Sequence, residues 1–525
     1  MTVLNVQSGR PTGIGRVVVI GGGPAGLTAA VELGRLGVPV TVLEKDRLVG
    51  GIARTESYRG YRFDIGGHRF FTKIGEVEQF WHELLGAEFI TRPRISRIFY
   101  KGKFYNYPLK AMNALSNLGP LTSLQAVLSY AQSQIRPYPR EDTFEEWVSN
   151  RFGKKLYEIF FKTYTEKVWG IPCSEIRAEW AAQRIQGLSL PVAVWNAIFG
   201  PARGKETIKT LIEQFEYPRL GPGMMWEKAA EFVQAHGGEV RLETEVASVR
   251  HAAGRVTEVV TRGRPDHTPP SAHPRGEPGA GGAGARPANG AGPEHTEAQA
   301  GDAFISTMPV SELVHKLDPA APREVLAAAD GLTYRAHISV VLIVKQPNLF
   351  PDNWIYIHSP EVKVGRVQNF KNWSPEMVPD PQMTALGLEY FCTEGDELWR
   401  TPDAELIELG KREMAAVGLV NLPDVVDGTV VRQLKAYPVY NGTYAGYLAT
   451  LKDYLAGFAN LQTVGRNGLH KYNNQDHSML TAMLAVRNLV GEQHDVWNVN
   501  TERSYHEEMR VPHDALSADE AGAAN

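Results

Sequence analysis

Cysteine is scarce in this sequence. Cys173 and Cys392 are the two among 525 residues, far apart and in no C-x-x-C pair, which excludes a disulfide framework and a thiolate metal site. No cluster of His and Asp has metal-ligand spacing, so no metal is expected. An excess of one charge is also missing. Against 55 Lys and Arg stand 59 Asp and Glu, a net charge of −4, which offers no electrostatic footprint for nucleic acid. No apolar run reaches the roughly 18 residues that a membrane span requires, and Met1 to Arg16 lacks the apolar core of a signal peptide. The expectation is a cytoplasmic chain with no integral membrane segment. There is no internal repeat. Hydrophobic content of 43% and charged content of 22% are those of a globular protein, and the length calls for two or three domains.

What is present is concentrated near the N-terminus. Val17-Val18-Val19-Ile20 reads as a buried strand, followed by Gly21-Gly22-Gly23-Pro24-Ala25-Gly26 and a helix opening at Leu27. Gly21, Gly23 and Gly26 fit G-x-G-x-x-G. Gly21 permits the turn, Gly23 lets backbone approach a pyrophosphate, and Gly26 lets the helix pack on the strand. The helix N-terminus presents free N–H groups to phosphate. A second strand, Val38 to Leu43, ends at Glu44, about 20 residues on, where an acid accepts from a ribose hydroxyl. This combination predicts a dinucleotide site.

Further along, Val49-Gly50-Gly51-Ile52-Ala53-Arg54-Thr55 adds a second Gly-Gly with Arg-Thr. Near the C-terminus stand Val464-Gly465-Arg466-Asn467-Gly468 and Asn473-Asn474-Gln475-Asp476-His477-Ser478, then a helical pattern from Met479 to Val490. Together these resemble the FAD-binding amine oxidase and UDP-galactopyranose mutase superfamily, including protoporphyrinogen oxidases. The resemblance implies FAD, held by Gly21, Gly23, Ala25, Gly26, Glu44, Lys45, Gly51, Arg54, Gly67, Val246, Gly465, Arg466, Asp476, His477 and Ser478. Its fold class is α/β: a discontinuous Rossmann-type FAD-binding domain with a helical insert and an antiparallel-sheet insert. The expected divisions are 15–106, 217–308 and 456–495 for the three parts of the FAD-binding domain. A helical substrate insert at 107–216, a sheet substrate domain at 309–455 and a tail at 496–525 complete the chain.

Within the inserts, Gly66-Gly67-His68, Trp180 to Arg184, Tyr217-Pro218, Trp354-Ile355-Tyr356, Arg366 with Asn369-Phe370-Lys371, Tyr437-Pro438 and Lys471-Tyr472 occur in an order that looks like UDP-galactopyranose mutases. That likeness implies interconversion of the pyranose and furanose forms of a UDP-hexose-like substrate, through attack of reduced-flavin N5 on the anomeric carbon. It assigns His68, Arg184 and Arg366 to catalysis, the arginines as a diphosphate clamp, and Tyr356, Tyr437, Tyr472 and Asn474 to substrate. The family's uridine-side asparagine is missing ahead of Tyr217, and Thr165 stands where an amide side chain is expected. No second dinucleotide fingerprint is present, so an external reductant, NAD(P)H or a protein, is implied. The competing reading on the same fold is an FAD-dependent oxidase or desaturase of the amine oxidase or protoporphyrinogen oxidase type, acting on another small molecule.

Four secondary-structure expectations bear on the site. A helix runs from Phe144 to Phe161, opened by a Thr143/Glu146 capping box, and another spans Ser123 to Gln134. Val240 to Val246 reads as a strand. The Pro/Gly/Ala-rich stretch 262–301 has almost no aliphatic residue larger than alanine, cannot offset its ordering entropy, and is read as a disordered loop replacing a hairpin tip.

Overall fold

The computed structural model describes residues 14–107, 109, 111–178, 210–211, 213–263, 295–500 and 508–509. Val17–Ile20 lies at the centre of a five-stranded parallel sheet in the order Glu239–Arg241, Val40–Leu43, Val17–Ile20, Ala303–Ser306, Leu461–Thr463. Strands covered on both faces must be apolar throughout, which the fully buried Val-Val-Val-Ile run satisfies. The strands come from the start, middle and end of the chain, so the dinucleotide domain is discontinuous. The helices Pro24–Arg35, Gly223–Ala235 and Gln475–Leu489 pack together on it.

Two other sheets complete the framework. Thr244–Ala252, Arg255–Gly263, His295–Ala300 and Leu317–Asp318 form a four-stranded sheet. A seven-stranded sheet runs Val425–Pro438, Tyr334–Val344, Thr384–Cys392, Arg366–Asn369, Trp354–Ile357, Ser96–Tyr100, Lys103–Asn106. It is antiparallel except where Trp354–Ile357 pairs in parallel with Ser96–Tyr100. Against it pack helices between Ala111 and Trp169, through a core that joins Ile98 and Tyr105 to Phe144, Phe160 and Trp169. Cys173 and Cys392 are buried and unpaired, each thiol pushed up to about 12 by burial.

Several expectations are corrected. Ser96–Asn106, assigned to the first FAD-binding segment, belongs to the seven-stranded sheet. The helix from Phe144 keeps its capping box but stops at Gly153, whose φ of +81° turns the chain. A Cβ there would lie 2.7 Å from the Tyr130 backbone N. The chain resumes as Lys154–Tyr157, a π-helical turn at Glu158–Lys162, and Thr163–Trp169. The strand expected over Val240 to Val246 is split at Leu242-Glu243, its halves entering different sheets.

The expected loop is shorter than 262–301. Arg255–Gly263 runs to its end as strand, and His295–Ala300 returns antiparallel to it, Gly263 opposite His295 and Glu258 opposite Ala300. Residues 264–294 lie outside the described residues. Because positions 263 and 295 are direct cross-strand partners, a tight turn spans them without strain. Replacing 265–293 by a short β-turn is therefore expected to leave FAD content and thermal stability unchanged, read by flavin absorbance and a melting curve. A cut reaching Glu297 removes Thr261 and Arg262 from their partners and is expected to destabilise the sheet. Loss of flavin on the shorter deletion would contradict the hairpin-tip reading.

Candidate active site

A cavity of about 680 Å³ runs from the glycine turn to the helical layer. Its first part is a cradle. Gly21 has φ +101°, and a Cβ on it would meet Thr307 Oγ1 at 2.1 Å. A Cβ on Gly26 would lie 1.9 Å from Gly21 O, so the helix sits directly on the turn. Gly23 and Gly51 approach backbone to backbone, a Cβ on Gly51 falling 3.3 Å from Gly23 Cα. Pro24–Arg35 starts with no side-chain cap, and so does Gln475–Leu489 after Asn474. Two uncapped helix N-termini on one cavity supply N–H donors and positive dipole ends for a diphosphate and for an electron-rich ring.

Glu44 lines the cavity beside the glycine turn. Its Oε2 accepts from Gly22 N–H at 2.6 Å and its Oε1 from Asp46 N–H at 2.8 Å. Burial raises its pKa, opposed by those two N–H groups. The carboxylate thus holds the glycine turn as well as facing the cavity. Lys45, Val246, Gly67, Gly465, Arg466, Asp476 and Ser478 also line the cavity. Asp476, in the first turn of its helix, accepts from Thr72 Oγ1 at 3.1 Å.

Two residues expected at the cofactor lie outside the cavity lining. Arg54 does not reach the lining: its Nε donates to Glu56 at 2.7 Å, and its Nη1 donates to Gly51 O at 2.9 Å and Gln433 at 3.0 Å. It braces the second glycine turn from behind. His477 is not in the lining; its Nδ1 lies 3.4 Å from Asp476 Oδ1. Gly26 also stays out of the lining, in keeping with its packing role.

The second part of the cavity is aromatic. Tyr437 stacks on Tyr472 at 5.7 Å and 23°, Arg466 Cζ lies 4.1 Å from the Tyr472 ring centroid, and Tyr356 contacts Tyr107 and Tyr164 at 4.9 and 5.4 Å. Asn474 lines the wall beside them. Arg366 is pinned by Glu389, its directly opposed cross-strand partner: Nε donates to Oε1 at 2.8 Å and Nη2 to Oε2 at 2.5 Å. Gln368 Nε2 donates to the same carboxylate at 2.6 Å. Burial works to raise the Glu389 pKa, yet the guanidinium wins and the pKa is lowered. The free diphosphate fork expected of Arg366 is therefore partly occupied. Its Nη1 makes no hydrogen bond to a described residue and remains for a ligand. Arg184 and Trp180 lie outside the described residues. Lys167 is structural, donating to the carbonyls of Ile357, Ser359 and Val364.

Sequence reading missed several lining groups: Arg69, directly after His68; Tyr107; the ion pair of Lys435 with Glu312; and Lys316, which donates to Glu245 at 2.8 Å. Arg69 sits beside a motif already singled out. The others come from elements that only the tertiary fold brings near.

Burial lowers the pKa of His68 to about 4, with Arg366 and Arg466 acting in the same sense and Glu389 against. The imidazole is neutral at pH 7. His337 and His470 are likewise lowered to about 4 and His358 to about 3, each chiefly by burial. In the unfolded chain these groups take up protons near pH 6.5. Between there and about pH 4 the unfolded state binds more protons, so stability falls as pH falls. The melting temperature is expected to be level above pH 7 and to drop steeply from pH 6.5 toward 4. A flat profile would contradict four buried neutral histidines.

Comparison with known proteins agrees with this geometry. The family model described as flavin containing amine oxidoreductase matches residues 24–471. The chain belongs to that family. Its cofactor is FAD, and the glycine cradle and two open helix ends fit it. A crystal structure of reduced UDP-galactopyranose mutase superposes with TM-score 0.75 over 94% of this chain and 99% of the other, at 21% identity, a likeness of fold. The probable UDP-galactopyranose mutase of Klebsiella pneumoniae is 27% identical over 31% of this chain and 43% of its own length. The 1-hydroxycarotenoid 3,4-desaturase of Flavobacterium sp. (strain P99-3) is 25% identical over 47% and 53%. The chain spans about half the length, or less, of the curated relatives it matches. Among the described residues no helix is long and apolar enough to cross a membrane.

Proposed function

We propose that this flavoenzyme is a nucleotide-sugar mutase, interconverting pyranose and furanose forms of a UDP-hexose-like substrate. The observation that carries the reading is the convergence of donors in the aromatic part of the cavity. Tyr164, Tyr356, Tyr437 and Tyr472 bring phenols, and Arg366 and Arg466 bring fixed positive charge, around the neutral His68. A hydroxyl-rich, anionic substrate replaces the water these groups give up. A hydrocarbon gives Arg366 Nη1 no acceptor, at a cost of about 1–3 kcal/mol. The mutase structure that shares the fold, and the Klebsiella relative, support the same reading.

FAD, when reduced, supplies a nucleophile for such a reaction, and when oxidised a hydride acceptor for the redox alternative. The chain's own residues do the rest. Arg366 Nη1 and the phenols hold a departing diphosphate within reach of its return, with Arg184 the expected partner. Arg466 keeps the Tyr437–Tyr472 pair in place by stacking and by its bonds to Ala436 O and Asn473 O, both 2.9 Å. His68, neutral, offers a hydrogen bond without adding charge.

A second reading, an FAD-dependent oxidoreductase, is favoured by the other wall. Leu109, Phe144, Phe160 and Phe161 are apolar, and Glu389 neutralises much of Arg366. The two readings separate on stoichiometry. Under anaerobic conditions the reduced protein, offered a panel of UDP-hexoses, is expected to form furanose product without consuming reductant, and the oxidised protein to form none. NMR of the sugar nucleotides reads this out. Turnover that tracks oxygen uptake or dye reduction one for one would establish the redox reading instead.

A further inference from the structure

The helix Pro120–Ile135 is inside out. The face turned to the protein is small and polar: Ala126 is buried, and Thr122, Ser123, Ser129, Tyr130 and Ser133 are half-buried. Ser123 Oγ donates to Leu115 O at 2.8 Å, and Ser129 Oγ accepts from Lys155 N–H at 3.0 Å. The face turned outward carries Leu121, Leu124, Leu128 and Ile135, which are 69%, 56%, 61% and 78% exposed, with Val127 beside them. Positions separated by three, four and seven residues lie on one stripe. No charged residue stands in the sequence between Lys110 and Arg136. Elsewhere exposed large apolar side chains are scattered, as at Ile95 and Val490, and need no explanation; a contiguous stripe on a helix whose polar side is hidden does.

We propose that this face docks on an anionic lipid surface, the helix lying flat among the headgroups. At sixteen residues it is too short to span a bilayer and long enough to lie in the interface. The rim is cationic. Exposed Lys103 donates to Asn117 O at the turn before the helix, at 2.6 Å; Arg136 follows its last residue; Arg140 and Lys154 are exposed nearby. The acids of the same region are Glu141, Asp142, Glu145, Glu146 and Glu158; Glu141 is paired with Arg151 at 2.8 Å, Glu146 accepts from Thr143 N–H at 3.0 Å and Glu145 from Tyr157 Oη at 3.2 Å. A convex single-helix stripe suits a planar, deformable surface. It offers on the order of 500 Å², short of the roughly 800 Å² per partner that a stable dimer buries. The helix packs on Phe144–Phe152 and Lys154–Tyr157. Docking therefore brings the apolar cavity wall at Phe144 within one helix layer of lipid.

The test is flotation of the full-length, FAD-loaded protein with vesicles of phosphatidylcholine alone or with about 30 mol% phosphatidylglycerol, at low and high salt. Expected is binding to the anionic vesicles, at least tenfold above neutral ones and weakened by salt. Leu124→Gln with Leu128→Gln should abolish it, and Arg136→Glu with Arg140→Glu should reduce it about tenfold, both with FAD content unchanged. Should the leucine variant lose FAD, the charge-reversal variant decides alone. The proposal is overturned if the wild type ignores anionic vesicles, or if the deciding variant binds them as well as the wild type. It is equally overturned if sedimentation shows a dimer that the leucine variant breaks while vesicles go unbound, since the face then belongs to a second copy of the chain.

Discussion

Gly26→Ala is expected to yield protein without bound FAD. The added methyl would stand 1.9 Å from Gly21 O and 3.0 Å from Gly21 C, and neither neighbour can yield. Gly21 sits in a positive-φ turn whose N–H is bonded to Leu43 O at 2.8 Å. On the far side the helix is wedged against Gly223–Ala235 and Gln475–Leu489, with Leu27, Ala30 and Val31 fully buried. Relief requires lifting the helix off the strand, which costs about 1–3 kcal/mol in overpacking and moves the N-terminal N–H groups away from the diphosphate. Those groups act together, so FAD affinity should fall by more than roughly two orders of magnitude. Gly75→Ala is the control: no atom lies within 4 Å of its added methyl, and flavin content and melting temperature should match the wild type. Flavin absorbance of the purified variants reads both. A yellow Gly26→Ala protein would mean that the helix end does not carry the cofactor.

The cradle was legible because every part of it is local. Strand, turn, helix and Glu44 fall within thirty residues or so, and each follows from a residue type in its place. The failures share a cause of the opposite kind. Arg54 belongs to a glycine motif that does approach the cavity, but its own direction is set by Glu56 and Gln433, the latter on a strand far along the chain. Arg366 was found by its motif, whereas its partner depends on the register that sets residue 366 against 389. Ser96–Asn106 was given to the wrong unit because its parallel pairing with Trp354–Ile357 leaves no mark on either segment. In Pro120–Ile135 the helical period was visible, but period alone does not say which face turns inward, and here the apolar one turns out.

Arg366→Lys is expected to lower kcat/KM by about 10²–10³, the usual cost of removing one preorganised donor to developing negative charge, while FAD content stays at the wild-type level. Lysine keeps a positive charge beside Glu389, so the buried carboxylate is not stranded and the fold survives. What it cannot keep is the fork. Nε and Nη2 hold the guanidinium against Glu389 and so fix Nη1; an ammonium that satisfies Glu389 has no second, fixed edge to offer. Arg366→Met removes the charge as well and is expected to cost about 3–5 kcal/mol of stability, because it leaves the Glu389 carboxylate buried without a countercharge, held only by the Gln368 amide. The pair of variants separates positioning from folding: the lysine change should show in turnover and in weaker binding of free UDP, the methionine change in the melting curve too. If Arg366→Lys keeps full turnover and full UDP affinity, Nη1 meets no diphosphate, and the oxidoreductase reading overtakes the mutase.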